Sequence, residues 1–244
     1  MSDYRTNPMR ASAQTGVMID EGLRAYMLRV YNLMMLGLAI TGVVAYGAAA
    51  MAIGEDGLTA FGQAIYLTPL RWVVMLAPLG LVMFLSFRID RMSVAAAQTT
   101  FWAYSALVGL SLSTIFLVYT GQSIVQVFFI TAATFGALSL YGYTTKRDLS
   151  GMGSFMVMGL FGLIIASIVN IFMASSALQW AISMMGVIVF SGLTAWDTQA
   201  IKEMYVEGDD EATGGRKAIM GALRLYLDFI NLFMSLLQLL GNRE

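Results

Sequence analysis

Seven stretches of this chain are apolar over the length needed to cross a bilayer, and no other feature of the sequence constrains the fold as strongly. A spanning helix needs about 20 largely apolar residues. Such runs occupy residues 27–53, 71–88, 94–118, 122–144, 153–175, 178–199 and 219–241, numbered segments one to seven in chain order. The connections are short except at 54–70 and at 200–218, the latter carrying EGDDEATGGRK. Of the 244 residues 58% are hydrophobic and 12% charged, whereas a soluble domain runs at roughly 25% charged. A soluble core of this size could not hide that much apolar surface, because burial is limited by surface-to-volume scaling. The expectation is an all-α polytopic membrane protein with the lipid bilayer as its solvent. Residues 1–26 form a polar N-terminal segment, and 27–241 form one seven-helix transmembrane domain. No short apolar run with a cleavage site opens the chain, so the first apolar run is expected to be a span, not a removable signal.

The sequence has no Cys and no His. That argues against disulfides, zinc and haem centres, cysteine nucleophiles and His-based triads together. No GxSxG elbow is present either, so no enzymatic activity and no cofactor are expected. A net charge of −1 leaves no basic excess to neutralise phosphates, and nucleic acid is not an expected partner.

Orientation follows from the basic residues of the short loops. Arg5, Arg10, Arg24, Arg29, Arg88, Arg91, Lys146, Arg147, Lys202, Arg216 and Lys217 fall on the side of the N-terminus. The rest of the 14 Lys and Arg are Arg71 and Arg243 on the other side and Arg224 inside segment seven. The prediction is a cytoplasmic N-terminus and an outer C-terminus. Ser105, Gly109 and Ser113 in segment three, with Gly159, Gly162, Ala166 and Asn170 in segment five, read as small faces for close helix packing. A pore-lining Asn170 is the sharper alternative. Pro78 in segment two frees a backbone carbonyl that a neighbouring helix must satisfy.

Segment seven carries the chemistry. Arg224, Asp228, Asn231, Ser235 and Gln238 recur at three- and four-residue spacing and form one polar stripe on a helix otherwise built from Leu, Phe, Ile and Met. Such a stripe faces a bundle interior or a wet cavity. Arg and Asp near a helix centre cost about 5–7 kcal/mol together, while the Leu, Ile and Phe residues between 220 and 240 return roughly 3–7 kcal/mol. Insertion is marginal alone, so the helix needs partners or else re-enters as a hairpin. The spacing of Arg224 and Asp228 permits a local ion pair.

Segment six offers a partner in Asp197, near its inner end and after Trp196, an aromatic of interfacial type. Ser183, Gly186, Thr194 and Asp197 share its small or polar face. Were Asp197 and Asp228 to meet at about 4 Å, two negative charges would repel by about 4 kcal/mol at an effective dielectric of ~20. The pair would then hold one proton between them, which makes it a candidate pH sensor, and its hard oxygens suit Ca²⁺. The bland reading stays open: Asp197 as a solvated helix end and Asp228 as a packing residue paired with Arg224. The run Glu207, Asp209, Asp210, Glu211 lacks the spacing of a calcium loop and reads as solvated.

The stretches GYTTKRDLSGMGSF (142–155), FSGLTAWDTQAIK (190–202) and ALRLYLDFINLF (222–233) resemble the Bax inhibitor family of transmembrane proteins in its bacterial branch. The likeness extends over residues 25–244. It implies a seven-helix bundle with the seventh helix central, in a cell inner membrane, and a pH-sensitive leak of Ca²⁺. By motif it also implies a proton-sensing latch made by Asp197 and Asp228. An arginine at the inner end of segment two joins that latch in the family, and Arg88 or Arg91 of FRIDRMS matches the region. Other bacterial relatives resemble non-transporting regulators that bind a membrane-anchored ATP-dependent protease. A proton-coupled transporter is a weaker third reading, since no inverted repeat stands out.

Overall fold

The computed structural model describes residues 8–55 and 57–243, with side chains from residue 21 onward; Arg5 and the side chain of Arg10 lie outside the described residues. Eight α-helices account for most of these residues: α1 (Pro8–Ala52), α2 (Ala60–Leu67), α3 (Leu70–Arg88), α4 (Val94–Leu112), α5 (Gly121–Thr144), α6 (Ser150–Met173), α7 (Ser176–Glu203) and α8 (Glu211–Leu240). All but the short α2 are long and apolar enough to cross a membrane. The chain is an all-α polytopic membrane protein. A two-stranded turn, Ile53–Gly54 against Gly57–Leu58, leads into α2.

Hydroxyl side chains start three of the long helices. Ser93, Thr120 and Ser175 accept hydrogen bonds from the N–H groups of Ala96, Ser123 and Leu178 at 3.2, 3.2 and 3.3 Å, satisfying first-turn donors that have no partner within the helix. Between α6 and α7 the chain turns at Ala174, held at φ 48°. Asn170 secures that turn: its Oδ1 accepts from Ser175 N–H at 3.0 Å.

Residues 8–26 of the polar N-terminal segment belong to α1, which runs unbroken from Pro8. The connection expected over 200–218 is shorter, at 204–210, because α7 continues to Glu203 and α8 begins at Glu211. Gly214 and Gly215, which read as loop residues, lie inside α8. A side chain at 215 would run into Val94 and crowd Arg29.

Helix α8 is central. It packs against α7, α1, α5 and α4, while α3 lies outside against α4 and α6 outside against α7. Tyr226 of α8 is fully buried, edge-on to Phe101 and Tyr104 at 5.8 and 5.6 Å, and its hydroxyl meets Thr41 Oγ1 at 2.5 Å. Close approaches occur where glycine permits them: Gly109 against the backbone of Thr41 and Gly142 against that of Ala195. Gly159 faces Val189, but Gly162 faces open space and packs nothing within 4 Å. The carbonyl freed by Pro78 finds its donor in α4, where Ser111 Oγ donates to Val74 O at 2.6 Å.

With 30 residues, α8 is about 45 Å long at 1.5 Å per residue. It is one unbroken helix, with no hairpin along its length. Its end is fastened beside the α4–α5 connection, where Thr120 N–H donates to Asn242 O at 3.1 Å, Asn242 N–H donates to Ser123 Oγ at 2.9 Å, and Tyr119 bridges Arg243. The opposite end of the bundle holds the 145–149 and 204–210 connections, tied by Lys202 Nζ donating to Tyr143 O at 2.9 Å.

Candidate functional site

Two carboxyls meet where α7 and α8 pack. Asp197 and Asp228 are buried, at 9% and 4% exposure, and lie within electrostatic range of each other and of Arg224. Asp228 Oδ2 is sealed from solvent and has no hydrogen-bond partner. Leaving a buried polar atom unpaired costs on the order of 1–3 kcal/mol, and more if it is charged.

Arg224 forms its ion pair across helices, not along α8. Its Nη1 lies 3.7 Å from Asp197 Oδ1, and no such pair joins it to Asp228. Helical side chains lean toward the N-terminus, so Arg224 reaches away from Asp228, one turn further on. An acid placed four residues before a base pairs better than the reverse order found here. At 3.7 Å the attraction is about 4 kcal/mol for a dielectric of ~20. Because the Arg224 side chain is 42% exposed, screening brings this toward ~1 kcal/mol.

Arg88 ends α3 and Arg91 closes the 3-10 turn 89–91; both are exposed. Among the described residues neither has a carboxylate within 4 Å, and the aspartates' cationic neighbour is Arg224. No three acidic side chains gather among the described residues, so two carboxyls are what the site offers a cation such as Ca²⁺. The acidic run is partly engaged: Asp209 pairs with Lys217 at 2.6 Å, and Asp210 stands at the N-cap of α8.

The remainder of the stripe lines a cavity of about 370 Å³ between α6, α7 and α8. Asn231 and Ser235 donate back into α8, to Leu227 O and Asn231 O, both at 2.8 Å. Gln238 Oε1 accepts from Gln179 Nε2 at 2.5 Å and from Ser183 Oγ at 2.6 Å. Asn170 Nδ2 donates to Gln179 Oε1 at 3.0 Å, so it links helices and does not line the cavity. Gln179 went unsingled in the sequence; polar residues at 179 and 183 are its only trace there, an i,i+4 pair opening an apolar span.

The AWDTQ motif also holds the inner face. Gln199 accepts from Leu149 N–H and donates to Arg147 O, both at 2.8 Å. Thr198 Oγ1 meets Ser139 Oγ at 3.0 Å, which meets Tyr31 OH at 2.6 Å. Trp196, expected as an interfacial aromatic, is half-buried with its indole over Gly153.

A seven-span α-helical bundle whose central last helix buries an aspartate beside a second aspartate defines the class: an integral membrane protein with a buried acidic pair. Residues 23–244 match the family described as inhibitor of apoptosis-promoting Bax1. The chain belongs to that Bax inhibitor family, in its bacterial branch. It is 49% identical over 225 residues to inner membrane protein YbhL of Escherichia coli K12, covering 91% of this chain and 94% of that one. An uncharacterised protein of Rickettsia prowazekii is 50% identical over 225 residues, 92% of each chain. One from Caulobacter vibrioides is 44% identical over 250 aligned residues, the whole of both chains.

Proposed function

We propose that this protein is a proton-regulated cation leak of a cell inner membrane, passing Ca²⁺, with its N-terminus in the cytoplasm. The observation that carries the reading is the partnerless, sealed oxygen of Asp228 beside Asp197. A proton shared between the two carboxyls gives that oxygen a partner and holds α7 to α8. Removing the proton leaves two like charges on the contact, with one half-exposed arginine to offset them, and repulsion loosens the latch. The 370 Å³ cavity beyond it, lined by Asn231, Ser235 and Gln238, supplies polar groups on the outer side of the latch. Orientation rests on the basic residues at the end that carries the 145–149 and 204–210 connections, and the membrane on the inner-membrane relative YbhL.

The test is Ca²⁺ flux from liposomes holding the purified protein, from about pH 6 to about pH 8. Flux is expected to rise with pH, and Asp228→Asn and Asp197→Asn should each flatten that response. Unchanged flux and pH response in both variants would sink the mechanism. Absence of flux, with co-purification of a membrane-anchored ATP-dependent protease, would favour a non-transporting regulator instead.

A further inference from the structure

A second cavity has nothing to do with the aspartates. Helices α1 and α5 run antiparallel and stand apart, leaving a cleft of about 760 Å³ that opens toward the surroundings of the bundle. Phe229 of α8 forms part of its floor. Across the gap the Tyr31 hydroxyl meets Ser139 Oγ at 2.6 Å, so these two polar groups of the wall are paired with each other. Between that pair and the two ends the wall is apolar, and its exposed side chains are Leu28 and Met35 on α1 and Phe128 and Leu140 on α5. The volume lies within the roughly 300–1,000 Å³ range of ligand-binding pockets.

Length and charge identify the occupant. From Arg24 to Leu38, the limits of the lining on α1, the helix rises about 21 Å at 1.5 Å per residue. One leaflet is about 15 Å deep, half of a ~30 Å hydrocarbon core. The cleft is thus long enough for an acyl chain lying along the bundle. Its inner end is basic. Arg24 lines it, is exposed, and makes no ion pair among the described residues. Tyr143 lines the same end, with Lys202 Nζ 5.3 Å from its ring centre. The long stem of an arginine at this depth lies along apolar wall while its head reaches the headgroup layer.

We propose that the α1–α5 cleft is a binding site for one anionic phospholipid, with an acyl chain lying along Leu28 and Met35 of α1 and Phe128 and Leu140 of α5 and the headgroup phosphate on Arg24. Gly136 supplies a clean way to test the chain site, since a Cβ there would meet nothing within 4 Å. A side chain there leaves the backbone without a clash at its first atom.

The experiment is native mass spectrometry of the full chain released from detergent, titrated with phosphatidylglycerol or phosphatidylethanolamine of identical acyl chains. One tightly retained phosphatidylglycerol is expected, favoured over phosphatidylethanolamine. Arg24→Gln should reduce that preference about fivefold, the effect of one basic residue at an anionic surface. Gly136→Leu should empty the site for both lipids, whereas Val43→Leu, at an exposed position outside the cleft, should leave it filled. Equal retention of the two lipids by the parent chain would overturn the proposal, as would an unchanged preference in Arg24→Gln. Full occupancy in a folded Gly136→Leu, or a lipid-free dimer through this face, would also overturn it. Should Gly136→Leu fail to fold, the exposed Arg24→Gln still decides. Ca²⁺ flux need not change in either variant, so this result is independent of the fate of the aspartate latch.

Discussion

Replacing Ser111 by alanine should weaken the bundle by about 0.6 kcal/mol, and by no more than about 1.7, the range measured for hydrogen bonds between membrane helices. The whole cost should disappear when Pro78 is replaced by alanine as well. Pro78 has no N–H, so Val74 O loses the donor that a regular helix would give it. Ser111 Oγ takes that place from α4 at 2.6 Å, although Leu107 O of its own helix lies 3.0 Å away. A hydroxyl has one hydrogen, and the shorter bond is the one that leaves no carbonyl stranded. With alanine at position 78 the helix supplies its own N–H to Val74 O, and Ser111 can fall back on Leu107 O at no loss. The propensity gained by removing proline, up to about 3 kcal/mol, appears on both sides of a double-mutant cycle and cancels. Reversible unfolding in mixed micelles, followed by far-ultraviolet circular dichroism, measures all four corners. If Ser111→Ala costs the same with and without Pro78, the compensation argument fails.

Other expectations rest on equally local observations. Gln179→Met and Gln238→Met should show a coupling of about 0.6–1.7 kcal/mol in the same unfolding assay. Coupling of Ser183→Ala to Gln238→Met should be smaller, because the Ser183 hydroxyl has Gln179 O at 2.9 Å as a second acceptor. Gly142→Ala should destabilise by about 1–3 kcal/mol, since the added Cβ meets the backbone of Ala195, while Gly80→Ala, facing open space, should be neutral or stabilising. The Ser150 hydroxyl and N–H hold the exposed Asp148 carboxyl below its ordinary range. That hydrogen bond beside the start of α6 is therefore in place above the ordinary carboxylate range and is lost as pH falls through the lowered value. Exchange of the Ser150 amide, corrected for its intrinsic rate, should accelerate on acidification, and Asp148→Asn should remove that dependence.

What the sequence disclosed and what it withheld divide along a physical line. Spans were legible because crossing a bilayer sets a minimum apolar length, and each of the seven predicted runs lies almost wholly within a long helix. The stripe on α8 was legible because periodicity needs only the helix that carries it. The need for a donor to the carbonyl freed by Pro78 was legible as well, but which side chain supplies it was not. Anything set by the partner across a contact was harder to read. Arg224 and Asp228 have the spacing of a local pair, yet side-chain direction along the helix and the presence of Asp197 on α7 send the guanidinium elsewhere. Gly214 and Gly215 read as a loop because glycine weakens a helix, and the reason to keep Gly215 is the approach of Val94 from another helix. Marginal insertion of α8 was a sound inference from its own residues. Its resolution lies in four neighbouring helices: a span too polar to be stable alone becomes the centre of the bundle, where Arg224 and Gln238 find partners on α7 and lipid-facing work falls to α3 and α6. The exception is Asp228, whose carboxyl is buried by those same neighbours without a hydrogen bond for Oδ2. A bundle that satisfies Gln238 twice leaves Asp228 Oδ2 unpaired, as it does Tyr26 OH and Trp102 Nε1 elsewhere. Among these three atoms Asp228 Oδ2 alone belongs to a carboxyl and sits at the α7–α8 contact, and a proton is the smallest thing that can fill its deficit.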